Sequence, residues 1–201
     1  MSFSKAFSHL KNDEVMSFLI SKFGKQITLK DRYDSNFAKA ISLLIIEQQV
    51  SFKAAITIKK RFLKLISEKD NIEIININDN EMQGIGISNR KVKYIKNTYT
   101  YFIKSKIDFK KLSPKEVVKE LTQIKGIGNW TAEMFLIFIL FNTNIFSKGD
   151  LALLNSIKLN YGIKDLSNQK IDCFIKKWAP FNTTASLLLW KSIEEKVFFK
   201  K

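Results

Sequence analysis

The sequence predicts an all-α protein. Apolar residues recur at the three- and four-residue spacing of buried helix faces along most of its 201 residues. Only residues 72–77 alternate between apolar and polar side chains as a strand does, and no second convincing strand exists to pair with them. We therefore expect that stretch to be a loop or a turn of helix.

The helices are predicted in chain order. Phe37 starts a buried face that continues to residue 45, and a second helix over residues 51–66 follows across a tight junction. Ser113-Pro114-Lys115-Glu116 is a capping box with proline at the first helical position, the clearest helix start in the chain. Further helices are expected over residues 88–105, 113–124, 129–141, 150–160, 167–178 and 183–197.

The scarcity of cysteine and histidine excludes several kinds of site. With Cys173 and His9 as the single examples, no intrachain disulfide can form, and a zinc or iron–sulfur site lacks ligands. His9 lies in a polar N-terminal stretch that we expect to be mobile, which disfavours Ser-His-Asp and Cys-His mechanisms. Cys173 is expected to be a small buried residue in a reducing compartment.

No membrane segment is predicted. The longest apolar run, residues 134–141, is far shorter than the ~20 residues that a spanning helix needs. The N-terminal residues also lack the apolar core of a signal peptide. We expect a soluble cytoplasmic protein that does not contact membranes.

The net charge indicates an anionic partner. Thirty-four Lys and Arg against 19 Asp and Glu give +15, and a field of this size attracts polyanions, with nucleic acid the leading class. A second interpretation stays open, because a chain rich in Lys, Asn and Ile with three arginines is also what codon bias alone produces.

Two glycines and one carboxylate form the most informative pattern. Gly126-Ile127-Gly128 separates two predicted helices, and such a hairpin presents backbone N–H groups at a helix N-terminus, where phosphate binds. A plain corner between two helices is the alternative. Asp150 follows Gly126 by 24 residues and stands at the cap of the next helix, after a buried helix that brings it back beside the hairpin.

These segments resemble a known superfamily. Residues 121–132 and 146–153 are similar to the hairpin and catalytic-Asp regions of helix–hairpin–helix DNA glycosylases, and within that superfamily to the 3-methyladenine DNA glycosylase II (alkylpurine) family. Residues 48–55, 86–95 and 178–190 agree in the same order, so the resemblance runs from about residue 37 to 191. The chain departs from the family at Ser147 and Lys148, where a proline is frequent. It departs again at Asn182 and Thr183, which replace an Arg-Ser pair and remove a cation expected to face DNA.

The resemblance implies a fold with two helical subdomains flanking a cleft for DNA and base. One subdomain with the hairpin would cover about residues 37–141, and residues 1–36 with 142–201 would form the other. The implied enzyme is a monomeric, monofunctional glycosylase that flips an alkylated, 3-methyladenine-like purine from damaged duplex DNA and hydrolyses its N-glycosidic bond. It would work in the cytoplasm, in association with the nucleoid.

The resemblance also implies site residues. Asp150 would be the catalytic carboxylate, although an N-cap alone would also explain it. Gln49 would be the wedge that fills the vacated stack, or a side chain that satisfies a helix end. The residues expected to bind DNA are Gln49, Ile124, Gly126, Gly128, Thr131 and Lys148. The aromatic and apolar residues expected to line the base pocket, or to be core, are Trp130, Met134, Trp178 and Phe181.

No cofactor or metal is implied, apart from a monovalent cation on the hairpin carbonyls near Ile124 and Gly126. Two other functions stay open. One is a non-catalytic helix–hairpin–helix protein that only binds phosphates. Such a protein has no use for an anion such as Asp150 facing DNA. The other is a bifunctional glycosylase/lyase on oxidised bases, which the absence of a lysine at position 130 disfavours. The sequence does not name the lesion.

Overall fold

The structure is a computed structural model, and it describes residues 3–200. Within that span the chain forms twelve α-helices and two short 3-10 turns, Lys30–Arg32 and Phe109–Lys111, and no β-strand. The all-α prediction is confirmed. The helices are α1 Ser4–Leu10, α2 Glu14–Phe23, α3 Phe37–Glu47, α4 Phe52–Leu65, α5 Asn71–Asn76, α6 Asp79–Gly84, α7 Asn89–Lys104, α8 Pro114–Leu121, α9 Asn129–Phe138, α10 Leu151–Tyr161, α11 Asn168–Trp178 and α12 Asn182–Glu194.

The chain divides into two compact units. The central unit runs from Arg32 to Leu140 and contains α3 to α9. The terminal unit combines the residues up to Asp31 with those from Phe141 onward, and contains α1, α2 and α10 to α12. Each unit buries its own set of apolar side chains.

The core of the central unit surrounds α3. This helix packs against α4, α7 and α9, and it is apolar on most sides because it has neighbours on most sides. Four aromatic rings meet edge to face beside it, and they close one end of this core: Phe37, Phe102, Phe109 and Phe135.

The core of the terminal unit surrounds α12. Residues 182–189 of this helix are buried on every side, where α2, α10 and α11 cover it. Trp178 at the end of α11 is fully buried in the same core, with rings of Phe146, Tyr161 and Phe174 around it. Asp13 caps α2 at the edge of this core and accepts hydrogen bonds from Tyr161 and Lys177.

The helix starts follow their capping residues. Ser88 and Ser113 accept hydrogen bonds from the first turns of α7 and α8, and Glu116 completes the predicted capping box. A second capping box, Asp70 with Glu73, starts α5, so the stretch around residue 72 is a short helix, in line with the expected turn of helix.

The helix ends were harder to predict. The predicted helices end at residues 124, 141 and 197, but α8, α9 and α12 stop three residues earlier at Leu121, Phe138 and Glu194. After α9 and α12 the chain contains a residue with a left-handed backbone, Phe141 and Lys196, each with φ 54°. The chain therefore turns there although its apolar pattern continues.

Two expectations about single residues are wrong. His9 lies in α1 and not in a mobile segment, with its Nε2 3.1 Å from the carbonyl oxygen of Lys177 and its ring 5.5 Å from that of Phe181. Cys173 is exposed because α11 buries the face that carries Ile171 and Trp178.

Two classes of feature are absent from residues 3–200. None of their helices is long and apolar enough to cross a membrane. No three His, Cys, Asp or Glu side chains of this span lie together as a metal site requires.

Candidate functional site

The hairpin lies between α8 and α9, and its two glycines differ. Gly126 has φ +107°, a conformation that favours glycine, and a Cβ there would lie 2.1 Å from the ring of Tyr94. Gly128 has φ −99° and ψ 179°, and a Cβ there would meet no atom within 4 Å. Gly126 is therefore required by the fold, whereas the backbone of Gly128 is one that any residue can adopt.

The start of α9 has the form of an anion site. Gly128 caps the helix and has no side chain with which to accept the N–H groups of the first turn of α9. Gly128 and Asn129 are exposed, and Lys125 beside them is exposed as well. Backbone N–H groups, a helix dipole and an open approach together suit a phosphate oxygen.

Gln48, which sequence reasoning did not select, holds the hairpin. Its Nε2 donates to the carbonyl oxygen of Gly126 at 3.3 Å and to the hydroxyl of Thr131 at 2.9 Å. Thr131 is 2% exposed and its hydroxyl fixes Gln48, and its predicted contact with DNA stays a prediction. A polar residue at the end of an otherwise apolar helix was the signal available for Gln48.

Lys91 fixes the end of α3 next to Gln48. Its Nζ donates to the carbonyl oxygens of Ile46 at 2.9 Å and Gln48 at 2.5 Å. Burial, and then the neighbouring charge of Arg90, lower the pKa of Lys91. This lysine therefore acts as a C-cap inside the protein, where it satisfies carbonyls that the helix leaves open.

Gln49 forms a projecting tip between α3 and α4. Its φ of 53° is rare for a residue other than glycine, and both Gln49 and Val50 are exposed. The Oε1 of Gln49 accepts a hydrogen bond from Arg90 at 3.3 Å. Strain of this kind persists where the surroundings impose it, and here Lys91 and Gln48 anchor the residues just before the tip.

Asp150 is half-buried at the cap of α10. Its Oδ1 accepts the N–H of Leu153 at 3.0 Å, and its own N–H donates to the carbonyl oxygen of Ser147 at 3.1 Å. Leu151, the next residue, is 75% exposed, the most open of the large apolar side chains in the described chain. Lys148 forms an exposed ion pair with Asp172.

The residues predicted for a base pocket separate into two kinds. Trp178 and Met134 are at most 1% exposed in the cores of the terminal and central units, in line with the core alternative for them, and a role in the pocket wall stays a prediction. Trp130 and Phe181 are partly exposed. Ile124 also has a buried side chain, which leaves its backbone as the part that can reach a ligand.

Asn182 and Thr183 do not face solvent. Both are 1% exposed and hydrogen-bonded to the loop that leads from α9 to Asp150. The expectation that this pair occupies a DNA-facing position is therefore wrong, because the first turn of α12 points into the terminal unit.

The hairpin carbonyls are of the kind that bind a monovalent cation. The carbonyl oxygen of Ile124 accepts the N–H of Ile127 at 3.0 Å, and that of Gly126 accepts the amide of Gln48. A carbonyl oxygen has two lone pairs, so each has room for one further partner. Protein donors hold both carbonyls in place, and a cation bound to them stays a prediction.

Two cavities lie among the described residues, and the first of them borders the hairpin. One of about 610 Å³ lies beside the end of α8 and includes the exposed residues Lys104, Lys106 and Lys125. On its wall the hydroxyl of Tyr101 donates to Glu120 at 2.5 Å, and burial together with this carboxylate raises the pKa of Tyr101 to about 12. The other, about 370 Å³, contains Asp13. Neither cavity includes a predicted pocket residue.

Comparison with known proteins identifies the pattern. Residues 43–181 match the family model of the HhH-GPD superfamily base excision DNA repair proteins. The chain is 30% identical to DNA-3-methyladenine glycosylase 1 of Schizosaccharomyces pombe, over 95% of this chain and 88% of that protein. It is also 30% identical to a Bacillus subtilis relative, YfjP, but spans only 56% of that protein's length.

The fold has a close counterpart among solved structures. The 3-methyladenine DNA glycosylase Mag1 of S. pombe, solved in complex with abasic DNA, superposes with a TM-score of 0.86 at 28% identity. The match covers 98% of this chain and 100% of that one. An all-helical fold of this kind is therefore common to both chains.

Proposed function

The chain belongs to the HhH-GPD superfamily of base excision DNA repair proteins, and from that premise we propose that it is a monofunctional DNA glycosylase for alkylated purines in duplex DNA. The observation that carries the proposal is that the matching span, residues 43–181, contains both the hairpin and Asp150. Excision of a base requires both an element that binds phosphate and a carboxylate.

The first step of the proposed reaction is to extrude the nucleotide. The C1′–N bond is inaccessible inside the stack, so the base must leave the duplex and something must fill its place. Gln49 suits the role of wedge because it is exposed at the tip of the junction between α3 and α4.

The hairpin would bind the DNA backbone. N–H groups at the start of α9 would bind a backbone phosphate without reading sequence, and Lys125 and Lys148 would add point charges. The ion pair of Lys148 with Asp172 is exposed and worth about 0–1 kcal/mol, so a phosphate can compete for this lysine.

Asp150 would support the chemical step. As the N-glycosidic bond breaks, the pair of bonding electrons leaves with the base and positive charge develops on the sugar, which a carboxylate stabilises. A water molecule then adds to C1′ and gives up its proton, with Asp150 orienting it. The hydrogen bond from Leu153 fixes one oxygen of the carboxylate.

The substrate class follows from charge. An N-alkylated purine is a cation, which makes it a good leaving group and attracts it to aromatic faces by about 0.5–2 kcal/mol. Trp130 and Phe181 are the predicted pocket residues with exposed surface to offer. Trp130 also stands where the resemblance puts the lysine of glycosylase/lyases, which supports hydrolysis by water.

The remaining assignments are part of the same proposal. The enzyme acts as a monomer on the DNA of the cytoplasm and nucleoid. It needs no cofactor, and a monovalent cation on the carbonyls of Ile124 and Gly126 would stiffen the hairpin for phosphate binding.

Base release from a panel of single-lesion duplexes tests this proposal. Each duplex carries one lesion: 3-methyladenine, 7-methylguanine, a deaminated purine or 8-oxoguanine. We expect release of the cationic alkylpurines and little release of the neutral bases. Release confined to 8-oxoguanine, or binding of every duplex without any release, would contradict it.

A further inference from the structure

The loop from α9 to Asp150 is held by one side chain at its beginning. The Oγ1 of Thr183 donates to the carbonyl oxygen of Asn142 at 2.7 Å and accepts the N–H of Ile145 at 3.1 Å. The N–H of Thr183 donates to the carbonyl oxygen of Thr143 at 3.0 Å. One residue of α12 thus contacts the backbone of three loop residues.

Asn182 adds a second connection. Its Nδ2 donates to the Oδ1 of Asn144 at 2.6 Å and to the carbonyl oxygen of Ile175 in α11 at 3.0 Å. Asn182 and Thr183 are each 1% exposed, so their own polar groups are buried and costly to leave unpaired. We call Asn182 and Thr183 the loop clamp.

The loop continues from the loop clamp to two buried residues and then to exposed Lys148 and Gly149 before it reaches Asp150. Phe146 packs on Trp178, with ring centroids 5.9 Å apart, and Ser147 is fully buried. The carbonyl oxygen of Ser147 then accepts the N–H of Asp150, which closes the turn at the cap of α10. Phe146 and Ser147 have little room to absorb a shift at residues 142–145, and the hydrogen bond from Asp150 to Ser147 carries such a shift across the exposed turn.

We propose that the loop clamp positions the carboxylate of Asp150 for base release, an inference that rests on the proposed glycosylase function. Asn182 and Thr183 are positioning residues that act through the loop and touch neither DNA nor base. Their effect is on the rate of the chemical step, while the grip on DNA belongs to the hairpin of the central unit.

Thr183→Val is the central variant, with Thr183→Ser and Thr184→Val as its controls. Valine keeps the shape of threonine but removes both hydroxyl contacts, and serine restores them. Thr184 is the buried neighbour in α12 and makes none of the loop contacts. Asn144→Ala removes the loop side chain that accepts the hydrogen bond of Asn182. Asn144 is exposed, so this variant tests the loop clamp without disturbing the core.

The readouts are the single-turnover rate of base release, the Kd for an abasic duplex, and hydrogen exchange of the amides of residues 148–151. Thr183→Val should release base about 10- to 100-fold more slowly with an unchanged Kd, since small misplacements of a reacting group have effects of this size. Exchange at residues 148–151 should accelerate, Thr183→Ser should recover most of the rate, and Asn144→Ala should fall between.

Three results would overturn the loop clamp: equal rates for Thr183→Val and Thr184→Val, a loss of rate matched by an equal loss of DNA binding, or unchanged exchange at residues 148–151. If Thr183→Val does not fold, a wild-type rate in Asn144→Ala overturns it as well. Failure of the wild-type protein to release any alkylated purine is a separate result. It rejects the glycosylase proposal, while the exchange data still report on the loop.

Discussion

Gly126 lies against the ring of Tyr94 with a left-handed backbone, and Gly128, two residues on, faces open space. The amide of Gln48 fixes the carbonyl oxygen of Gly126 from the other side. The first glycine shapes the hairpin, and the second leaves room for what approaches it. We therefore assign a structural role to Gly126 and propose a binding role for Gly128.

Replacing each glycine by alanine tests that division. Gly126→Ala should lower the free energy of unfolding by about 2 kcal/mol or more, because the new Cβ strains the backbone and displaces Tyr94. Gly128→Ala should change stability by less than about 0.5 kcal/mol and weaken binding of damaged and undamaged duplexes alike, since phosphate reaches this backbone. Urea unfolding and fluorescence anisotropy measure the two effects. Selective loss of lesion binding in Gly128→Ala would instead place the hairpin at the base pocket.

At the scale of single residues, the sequence predicts which residues have an unusual backbone or a capping charge better than it predicts which side chains are buried. Gly126, Gln49 and Asp150 carry local signals, since a glycine between helices, a polar junction and a cap each have a distinct pattern. Trp178 and Thr131 carry none, because whether an aromatic or a hydroxyl is exposed depends on helices distant in sequence.

At the scale of elements, one buried carboxylate joins three helices of the terminal unit. Asp13 caps α2, and its Oδ2 accepts the hydroxyl of Tyr161 in α10 at 2.9 Å and the Nζ of Lys177 in α11 at 2.7 Å. Burial alone would raise the pKa of Asp13, but the hydrogen bonds from Lys177, the N–H of Met16 and Tyr161 outweigh it and lower the pKa below 3.8.

This arrangement predicts a pH-dependent stability. A carboxyl whose pKa is lower in the folded state stabilises the protein above its unfolded pKa, and the contribution is lost as pH falls through the folded value. Asp13→Asn should lower the free energy of unfolding by about 1–3 kcal/mol at pH 7, with the difference from wild type shrinking below about pH 4. Asp172→Asn, in an exposed pair, should change it by about 0–1 kcal/mol. A constant Asp13→Asn difference from pH 7 to pH 3 would contradict this account.

Helix starts and helix ends differ in how far local sequence determines them. Ser88 and the box at Ser113 specify their starts through side-chain hydrogen bonds to neighbouring N–H groups. The apolar pattern of α9 continues to residue 141, yet the helix stops at Phe138, because the chain must leave toward the loop that carries Asp150. That stop is imposed by tertiary structure, and no local pattern encodes it.

At the scale of the whole molecule, the two units carry different parts of the proposed function. The central unit has the hairpin and the tip at Gln49, and the terminal unit has Asp150 and the loop clamp. The net charge of +15 attracts the protein to DNA over a long range, and this attraction does not depend on the alkylated base.

The reaction class is tested by trapping. With Trp130 at the position implied for a lyase lysine, borohydride added during turnover should capture no covalent protein–DNA adduct, and the abasic strands should stay intact. Gel analysis of labelled duplexes measures both. Efficient trapping that disappears in Lys148→Ala would assign the protein to the lyases, with Lys148 as the nucleophile once released from Asp172.

The central claim is that Asp150 supports cleavage of the glycosidic bond, and single-turnover base release by Asp150→Asn tests it most directly. Asparagine caps helices as well as aspartate does, so the fold of α10 should be preserved. We expect release to fall by about 100-fold or more, while lesion-DNA binding stays equal or tightens because an anion near phosphates is removed. Asp172→Asn should release base at the wild-type rate. Release by Asp150→Asn within a few-fold of wild type would contradict the account.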